Sequence, residues 1–233
     1  MKKIFIGNTS NHEILFEVAK NSIINKSKDV ICYPIIKDSL KALNIYTRES
    51  KKEESTDFSI TRFLTPWLAG YRDWVLFIDN DIVCLEDINN LFKLADDKYA
   101  VMCVKHDYKP TNRKKLDNQI QTIYPRKNWS SVVLWNCNHP KNKLITPEIV
   151  NSESPLYLHR FKWLDDKEIG ELPLKWNFLV DWYDIDTNGD PSLLHYTEGG
   201  PFFEKYKDCD FCEIWLEEFK NLVGREFTEK DYL

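Results

Sequence analysis

The sequence predicts an α/β fold with a mainly parallel central sheet and helices on both of its faces. Three observations carry this reading. The run Trp74-Val75-Leu76-Phe77-Ile78 is apolar throughout and stops at the turn-forming Asp79-Asn80-Asp81, as expected of a strand buried on both faces. Strand-like and helix-like segments alternate through the first half of the chain, the pattern of a layered parallel sheet. The first helical segment carries Ile14, Leu15, Val18, Ala19 and Ile23 on one face at helical spacing, so it packs on a sheet rather than standing alone.

The elements follow in order. Lys3 to Gly7 reads as the first strand, and Gly7-Asn8-Thr9-Ser10-Asn11 as the turn into the first helix. Val30 to Ile36 is the second strand. Lys37 to Glu54 is charged and weakly periodic, which predicts a loop or flap. Ser55-Thr56-Asp57 supplies N-cap residues for a helix with Ile60, Phe63, Leu64, Trp67 and Leu68 on one face, ended by Gly70. After the Trp74–Ile78 strand, Asp87 caps a helix through Leu91, Phe92 and Leu94, and Tyr99 to Val104 is a further strand.

Lys105 to Trp129 is polar and broken by Pro110 and Pro125, as in a long functional loop. Ser131 to Cys137 reads as a strand. Thr146-Pro147 and Ser154-Pro155 are helix starts with proline at the first helical position. Ile169 to Leu172 and Leu193 to Tyr196 are short strands, and Cys209 to Leu222 is a closing helix. No internal repeat, low-complexity tract or linker interrupts the chain, so residues 1–233 read as one domain.

Composition narrows the function. An apolar content of 42% and a charged content of 30% are those of an ordinary globular protein. The net charge of −5 argues against a nucleic-acid partner, which needs a basic face. No apolar stretch reaches membrane-spanning length. Met1-Lys2-Lys3 precedes only Ile4-Phe5-Ile6 before Gly7, so no secretory signal is expected and the chain reads as cytoplasmic. Cys32, Cys84, Cys103 and Cys137 lie within or beside apolar segments, where a reduced cysteine acts as a small core residue. Cys209 and Cys212 form a C-x-x-C without the second pair that a structural zinc site uses.

The chemistry concentrates at Asp79-Asn80-Asp81. Two carboxylates one residue apart, at the C-terminal end of a buried strand, sit where open α/β sheets bind ligands. There they can hold a divalent cation against substrate phosphates. The other two D-x-D triplets, at Asp184 and Asp208, follow no comparable strand.

A second signal is His195-Tyr196-Thr197-Glu198-Gly199-Gly200-Pro201. In a chain with seven glycines, Gly199 and Gly200 are adjacent and follow a histidine at a strand end. Paired glycines let backbone N–H groups approach an anion, and His195 would complete an Asp/Asp/His set on Mn²⁺ or Mg²⁺; the same residues also suit a core histidine and an ordinary turn. Asp184-Ile185-Asp186-Thr187-Asn188-Gly189 matches the first half of an EF-hand loop, but its glutamate position is His195. Arg62 is placed to reach a phosphate or sugar hydroxyl, or to pair with an acid. Lys105-His106-Asp107 ends a strand on the same sheet edge, and Asn128-Trp129-Ser130-Ser131 enters another. Asp165 and Asp166 precede the Ile169 strand, and Trp176-Asn177 follows it. Solvated strand-end charge is the alternative account of Lys105-His106-Asp107, and packing or capping that of the others.

With these residues in hand, the chain resembles GT-A-fold glycosyltransferases, a Rossmann-like α/β/α sandwich, and is most similar to the family 8 type that includes glycogenin and bacterial lipopolysaccharide galactosyltransferases. Arg62, Asp79, Asp81, Asn128 with Ser130 and Ser131, and His195 occupy the places of that family's motifs. The resemblance implies transfer of a sugar from a nucleoside-diphosphate sugar, a UDP-sugar in that family, to a carbohydrate or glycoconjugate hydroxyl with retention. Metal ligation falls to Asp79, Asp81 and His195. Gly7, Asn8, Thr9, Arg62, Asn80, Lys105, His106, Asn128, Trp129, Ser130, Gly199 and Gly200 are the candidates for donor binding, and Asp165, Asp166 and Arg62 for catalysis. An inverting enzyme would instead use Glu198 or Asp107 as base.

Two departures stand out. The family's histidine motif continues to a diphosphate-binding lysine, a place that Lys205 or another basic residue would have to fill. The first strand leads to Asn8-Thr9-Ser10-Asn11 rather than to an aspartate and a tyrosine. Another metal-dependent nucleotide enzyme, such as a nucleotidyltransferase, and a noncatalytic calcium- or sugar-binding module are the competing classes. Oligomeric state, including a homo-oligomer, is left open.

Overall fold

The apolar run that marks the sequence becomes the middle of a six-stranded sheet. The computed structural model describes residues 1–49, 56–107, 126 and 128–233. Strand β1 (Lys2–Asn8) pairs in parallel with β2 (Val30–Ile36) on one side and β3 (Trp74–Ile78) on the other. The order continues through β6 (Val132–Asn136), β5 (Val101–Cys103) and β7 (Ile169–Glu171), giving β2-β1-β3-β6-β5-β7. Only β6 runs antiparallel to its neighbours in this sheet.

Alternate side chains leave the strands on opposite faces, and both faces are covered. Phe5, Val75 and Phe77 pack on one side with Phe58, Phe63, Leu64 and Trp163. Ile4, Ile6, Leu76 and Ile78 pack on the other with Phe16, Ala19 and Ile23 of α1 (Glu13–Lys26). The opposite side of α1, through Leu15 and Val18, meets Trp215 and Phe219 of α8 (Cys212–Val223).

A smaller sheet was not foreseen. Strand β4 (Ile82–Cys84) directly follows Asp81, pairs antiparallel with β9 (Leu193–His195), and β9 pairs in parallel with β8 (Phe178–Leu179). The Leu193–Tyr196 strand is expected from the sequence, but its partners β4 and β8, three and two residues long, leave too little pattern to read in advance.

Several expected boundaries move. The Lys37–Glu54 loop instead begins with helix α2 (Lys37–Ala42), seated by buried Leu40, and residues 50–54 lie outside the described set. The helix expected after Asp57 splits into a 3-10 turn, Thr61–Leu64, and a short helix α3 (Thr65–Leu68) with Pro66 in its first turn. Asp57 does not cap it but pairs with Lys37, and Ser55 is outside the described set. Most of the loop from Lys105 to Trp129 is likewise outside it. Helix α4 (Asn89–Phe92) follows β4, and the two Ser/Thr-Pro helix starts form as read. Thr146 accepts from the Ile149 N–H at the head of α5 (Pro147–Ser152), and Ser154 from the Tyr157 N–H at the head of α6 (Pro155–His159).

Candidate metal centre

Asp79 follows β3 directly, so the sheet's carboxyl edge holds the first carboxylate. Asp81 is carried into the second sheet, where Ile82 pairs with His195 and the Tyr196 N–H donates to the Asp81 carbonyl at 2.9 Å. This pairing brings the imidazole of His195 beside the Asp81 carboxylate, with Nε2 to Oδ1 at 3.4 Å. Asp79, Asp81 and His195 each offer one ligand atom, all mutually within 4.8 Å, and no other such group forms among the described residues. Two carboxylate oxygens and one imidazole nitrogen suit a divalent cation of the Mn²⁺ or Mg²⁺ type. The chemistry of the donor set therefore fits the metal that the fold implies.

Each ligand is held from behind. Arg62 is buried between the rings of Phe58 and Phe77. Its Nη1 lies 2.9 Å from Asp79 Oδ1 and donates to the Ser130 carbonyl at 2.9 Å, while Nη2 donates to Asp79 Oδ2 at 3.3 Å. Fixing a buried carboxylate this way offsets part of its desolvation. Of the alternatives the sequence leaves for Arg62, a phosphate or sugar hydroxyl or an acid, the structure shows the acid: much of its fork is committed to Asp79 and the Ser130 carbonyl.

His195 is 2% exposed, and its Nδ1 lies 2.8 Å from Asn177 Oδ1. Asn177 Nδ2 donates to Ser131 Oγ at 2.9 Å, and that hydroxyl donates to the Asn128 carbonyl at 2.7 Å. Asn128 itself stands at φ 63°, in the left-handed region that asparagine tolerates better than most residues. The sequence marks Asn177 only through the Trp176-Asn177 pair, for which packing or capping is an alternative account. Its signal, a buried polar residue just before a strand, is common to many caps.

The same edge gathers the next predicted residues. Trp129 Nε1 donates to the His106 carbonyl at 3.1 Å, and Lys105 and Arg126 lie over the Trp129 ring. His106 stacks on Tyr183, with Nδ1 2.8 Å from the phenol oxygen. Burial, with a smaller contribution from His195, pushes the His106 pKa down to about 3. Ser130 Oγ lies 2.9 Å from Nδ1 of His159, whose pKa burial and Arg62 also lower to about 3. Four buried atoms here, Asn8 Oδ1, Asn80 Nδ2, His106 Nε2 and Asn128 Nδ2, have no hydrogen-bond partner among the described residues. Buried polar groups are nearly always satisfied, so these four atoms are available to a polar ligand; other buried atoms, such as Trp135 Nε1 and Trp215 Nε1, also have no hydrogen-bond partner among the described residues.

Other predicted residues go elsewhere. Gly7 makes room: a Cβ there would meet the Phe58 ring at 2.4 Å. The Thr9 carbonyl accepts from the His12 N–H at the entry to α1. The Gly199 N–H is spent on the Tyr196 carbonyl at 2.9 Å, so it is not the anion donor expected of it. Gly199 has φ 133° and lies under the Tyr206 ring, while Gly200 lies against Phe202. Close packing against these rings accounts for both glycines. Lys205 rests on Tyr206 and donates to its hydroxyl at 3.0 Å.

Asp165 and Asp166 depart furthest from expectation. They precede β7, which is parallel to β5 and through β6 to β3, so the chain enters β7 at the amino edge of the sheet; Asp165 stays at that edge, whereas Asp166 reaches Arg126, whose guanidinium lies over the Trp129 ring. Asp165 pairs with Lys141 at 2.9 Å and forms a capping box with Glu168, while Asp166 pairs with Arg126. Their chemistry is that of a turn. Asp184 accepts from the Asp186 and Thr187 N–H groups as cap of α7 (Ile185–Asn188), not as a calcium ligand. Cys209 and Cys212 are free thiols, and neither belongs to a gathered metal-ligand group among the described residues.

No helix among the described residues is long and apolar enough to cross a membrane. No family model matches the chain. Among solved structures, the bifunctional glycosyltransferase WbbM superposes with a TM-score of 0.64 at 15% identity, over 97% of this chain and 52% of that one. GlyE of Streptococcus pneumoniae TIGR4, a glycosyltransferase, gives 0.63 at 14% identity, over 96% of this chain and 62% of that one. The galactosyltransferase LgtC, in complex with donor and acceptor sugar analogs, gives 0.60 at 12% identity, over 98% of both chains. This chain thus spans only about half of WbbM and under two thirds of GlyE. The fold is the GT-A fold of glycosyltransferases. In sequence, the chain is 47% identical to Protein CDI of Arabidopsis thaliana over 233 aligned residues, covering 98% of this chain and 90% of that protein. With that identity running almost end to end, the chain belongs to the family of Arabidopsis Protein CDI.

Proposed function

We propose that this protein is a divalent-metal-dependent glycosyltransferase that moves a sugar from a nucleoside-diphosphate sugar to an acceptor hydroxyl. The observation that carries the reading is the Asp79–Asp81–His195 group, seated at the carboxyl edge of a GT-A sheet. Breaking the anomeric C–O bond places negative charge on the departing diphosphate. Bound Mn²⁺ or Mg²⁺ would supply the positive charge that offsets it.

The chain's own residues provide the rest. Asp79, Asp81 and His195 would hold the cation, and Arg62 keeps Asp79 in place while adding its charge to the same corner. Asn8, Asn80, His106 and Asn128 supply polar atoms for the base, ribose and sugar hydroxyls, with the Trp129 face beside them. Lys205 is the candidate for the family's diphosphate lysine. Resemblance to family 8 supports a UDP-hexose donor and retention; Glu198 or Asp107 would act as base if the product is inverted.

The test is a thermal-shift screen of nucleoside diphosphates and nucleotide sugars, each with and without Mn²⁺. Stabilisation by UDP or GDP only when Mn²⁺ is present supports the reading, and incubation with the matching nucleotide sugar should then release the diphosphate. Release of inorganic pyrophosphate from a nucleoside triphosphate would favour a nucleotidyltransferase instead. A shift with Ca²⁺ alone, and none with any diphosphate, would favour a binding module. The anomeric configuration of the first product, read by NMR, decides between retention and inversion.

A further inference from the structure

Behind the three metal ligands runs a chain of hydrogen bonds whose direction is fixed from its far end. Ser131 has one hydroxyl proton, and it goes to the Asn128 carbonyl at 2.7 Å. Its oxygen can therefore only accept from the next group, Asn177, at 2.9 Å. Only the amide NH₂ of Asn177 can donate, so the carboxamide oxygen is turned the other way, toward His195 Nδ1 at 2.8 Å. An oxygen acceptor there demands a proton on Nδ1. In the neutral ring the lone pair is then left on Nε2, the nitrogen that lies 3.4 Å from Asp81 Oδ1.

We infer that Asn177 and Ser131 are positioning residues that lock His195 in its Nδ1–H tautomer and so present Nε2 to the metal. The inference rests on the metal reading above and deepens it. All three side chains are nearly or fully buried, with Asn177 at 0% and Ser131 at 3% exposure, so water cannot substitute for a lost partner. The lock also gives the Asn128–Ser131 segment a task that its motif does not reveal. Its left-handed turn aims a carbonyl at the Ser131 hydroxyl, two links away from the ligand itself. The partner of a ligating imidazole sets both its tautomer and its orientation, and removing such a partner weakens metal binding by about 10- to 100-fold.

The test pairs two readouts in the intact protein. Long-range ¹⁵N–¹H NMR of metal-free protein at about pH 8, above the ordinary imidazole range, reports which nitrogen of His195 carries the proton. Calorimetric titration with Mn²⁺ alone reports affinity. The wild type is expected to show Nδ1–H. Asn177→Leu should give a mixture of tautomers and an affinity lower by about 10- to 100-fold, and Ser131→Ala a smaller loss in the same direction. Asn177→Asp, which keeps an acceptor toward Nδ1, should restore the single tautomer. A wild-type Nε2–H tautomer overturns the lock, as does undiminished Mn²⁺ affinity in both Asn177→Leu and Ser131→Ala. Should Asn177→Leu fail to fold, the wild-type spectrum and Ser131→Ala still decide. A wild type that is Nδ1–H yet binds no Mn²⁺ overturns the metal reading and, with it, the purpose assigned to the lock.

Discussion

Asp79-Asn80-Asp81 and Asp184-Ile185-Asp186 are the same D-x-D pattern placed in two different settings. The first pair ends a strand buried on both faces, is braced by Arg62, and meets a histidine delivered by β9. The second lies on an exposed turn, where Asp184 spends its carboxylate on two backbone N–H groups of a four-residue helix. Spacing alone therefore does not make a cation site. What distinguishes the first pair is a strand that fixes the backbone and a third ligand from a distant segment.

Substitution separates the two most sharply. Asp81→Ala should remove Mn²⁺-dependent stabilisation and lower transfer by roughly 10²–10³-fold or more, whereas Asp184→Ala should leave both unchanged. Equal loss in the two variants, read by thermal shift and diphosphate release, would erase the distinction. Next in size is Arg62→Met, which leaves the Asp79 carboxylate buried without its principal cation. Breaking a buried pair costs about 3–5 kcal/mol, measurable by urea unfolding, and Arg62→Met with Asp79→Asn should recover much of it.

The settings also differ in their response to acid. His106 and His159 lie on the buried side, and both fold with pKa values near 3, below the ordinary 6.5. Between about pH 6.5 and 3 the unfolded chain binds more protons at these positions than the native state, so stability falls as pH drops through that window. His159→Gln should flatten the decline in urea midpoints from pH 7 to about pH 4, whereas Asp184→Ala should not alter its slope. The smallest effect is that of Asp184→Ala on stability itself, about 0.5–1 kcal/mol for a lost cap on a short helix.

Much of this contrast was legible in the sequence. An uninterrupted apolar run of strand length fixes where Asp79 must stand, and His195 at the end of Leu193-Leu194 reads as a strand-end ligand. The parallel order of the sheet follows from alternation, apart from antiparallel β6, whose direction leaves no mark in its own residues. Asp165 and Asp166 misled because a carboxylate pair beside a strand looks alike at either end; only the direction of β7 shows that the chain enters it at the amino edge. Gly199 misled because a left-handed glycine serves an aromatic packing contact as readily as an anion. Asn177 was out of reach, since its meaning lies in partners at Ser131 and His195 that only tertiary structure supplies.

The antiparallel pairing of β4 with β9 has a kinetic side. Asp81 and His195 are far apart along the chain, yet they become neighbours through a ladder of three residue pairs. Such a contact has a high loop-closure cost and belongs to the slow, nonlocal part of folding. If that ladder forms after the folding barrier, a cation held by both segments would add little to the rate of folding and would mainly slow unfolding. Bound metal would then act as a latch on the finished molecule, lengthening its lifetime against proteases more than hastening its birth.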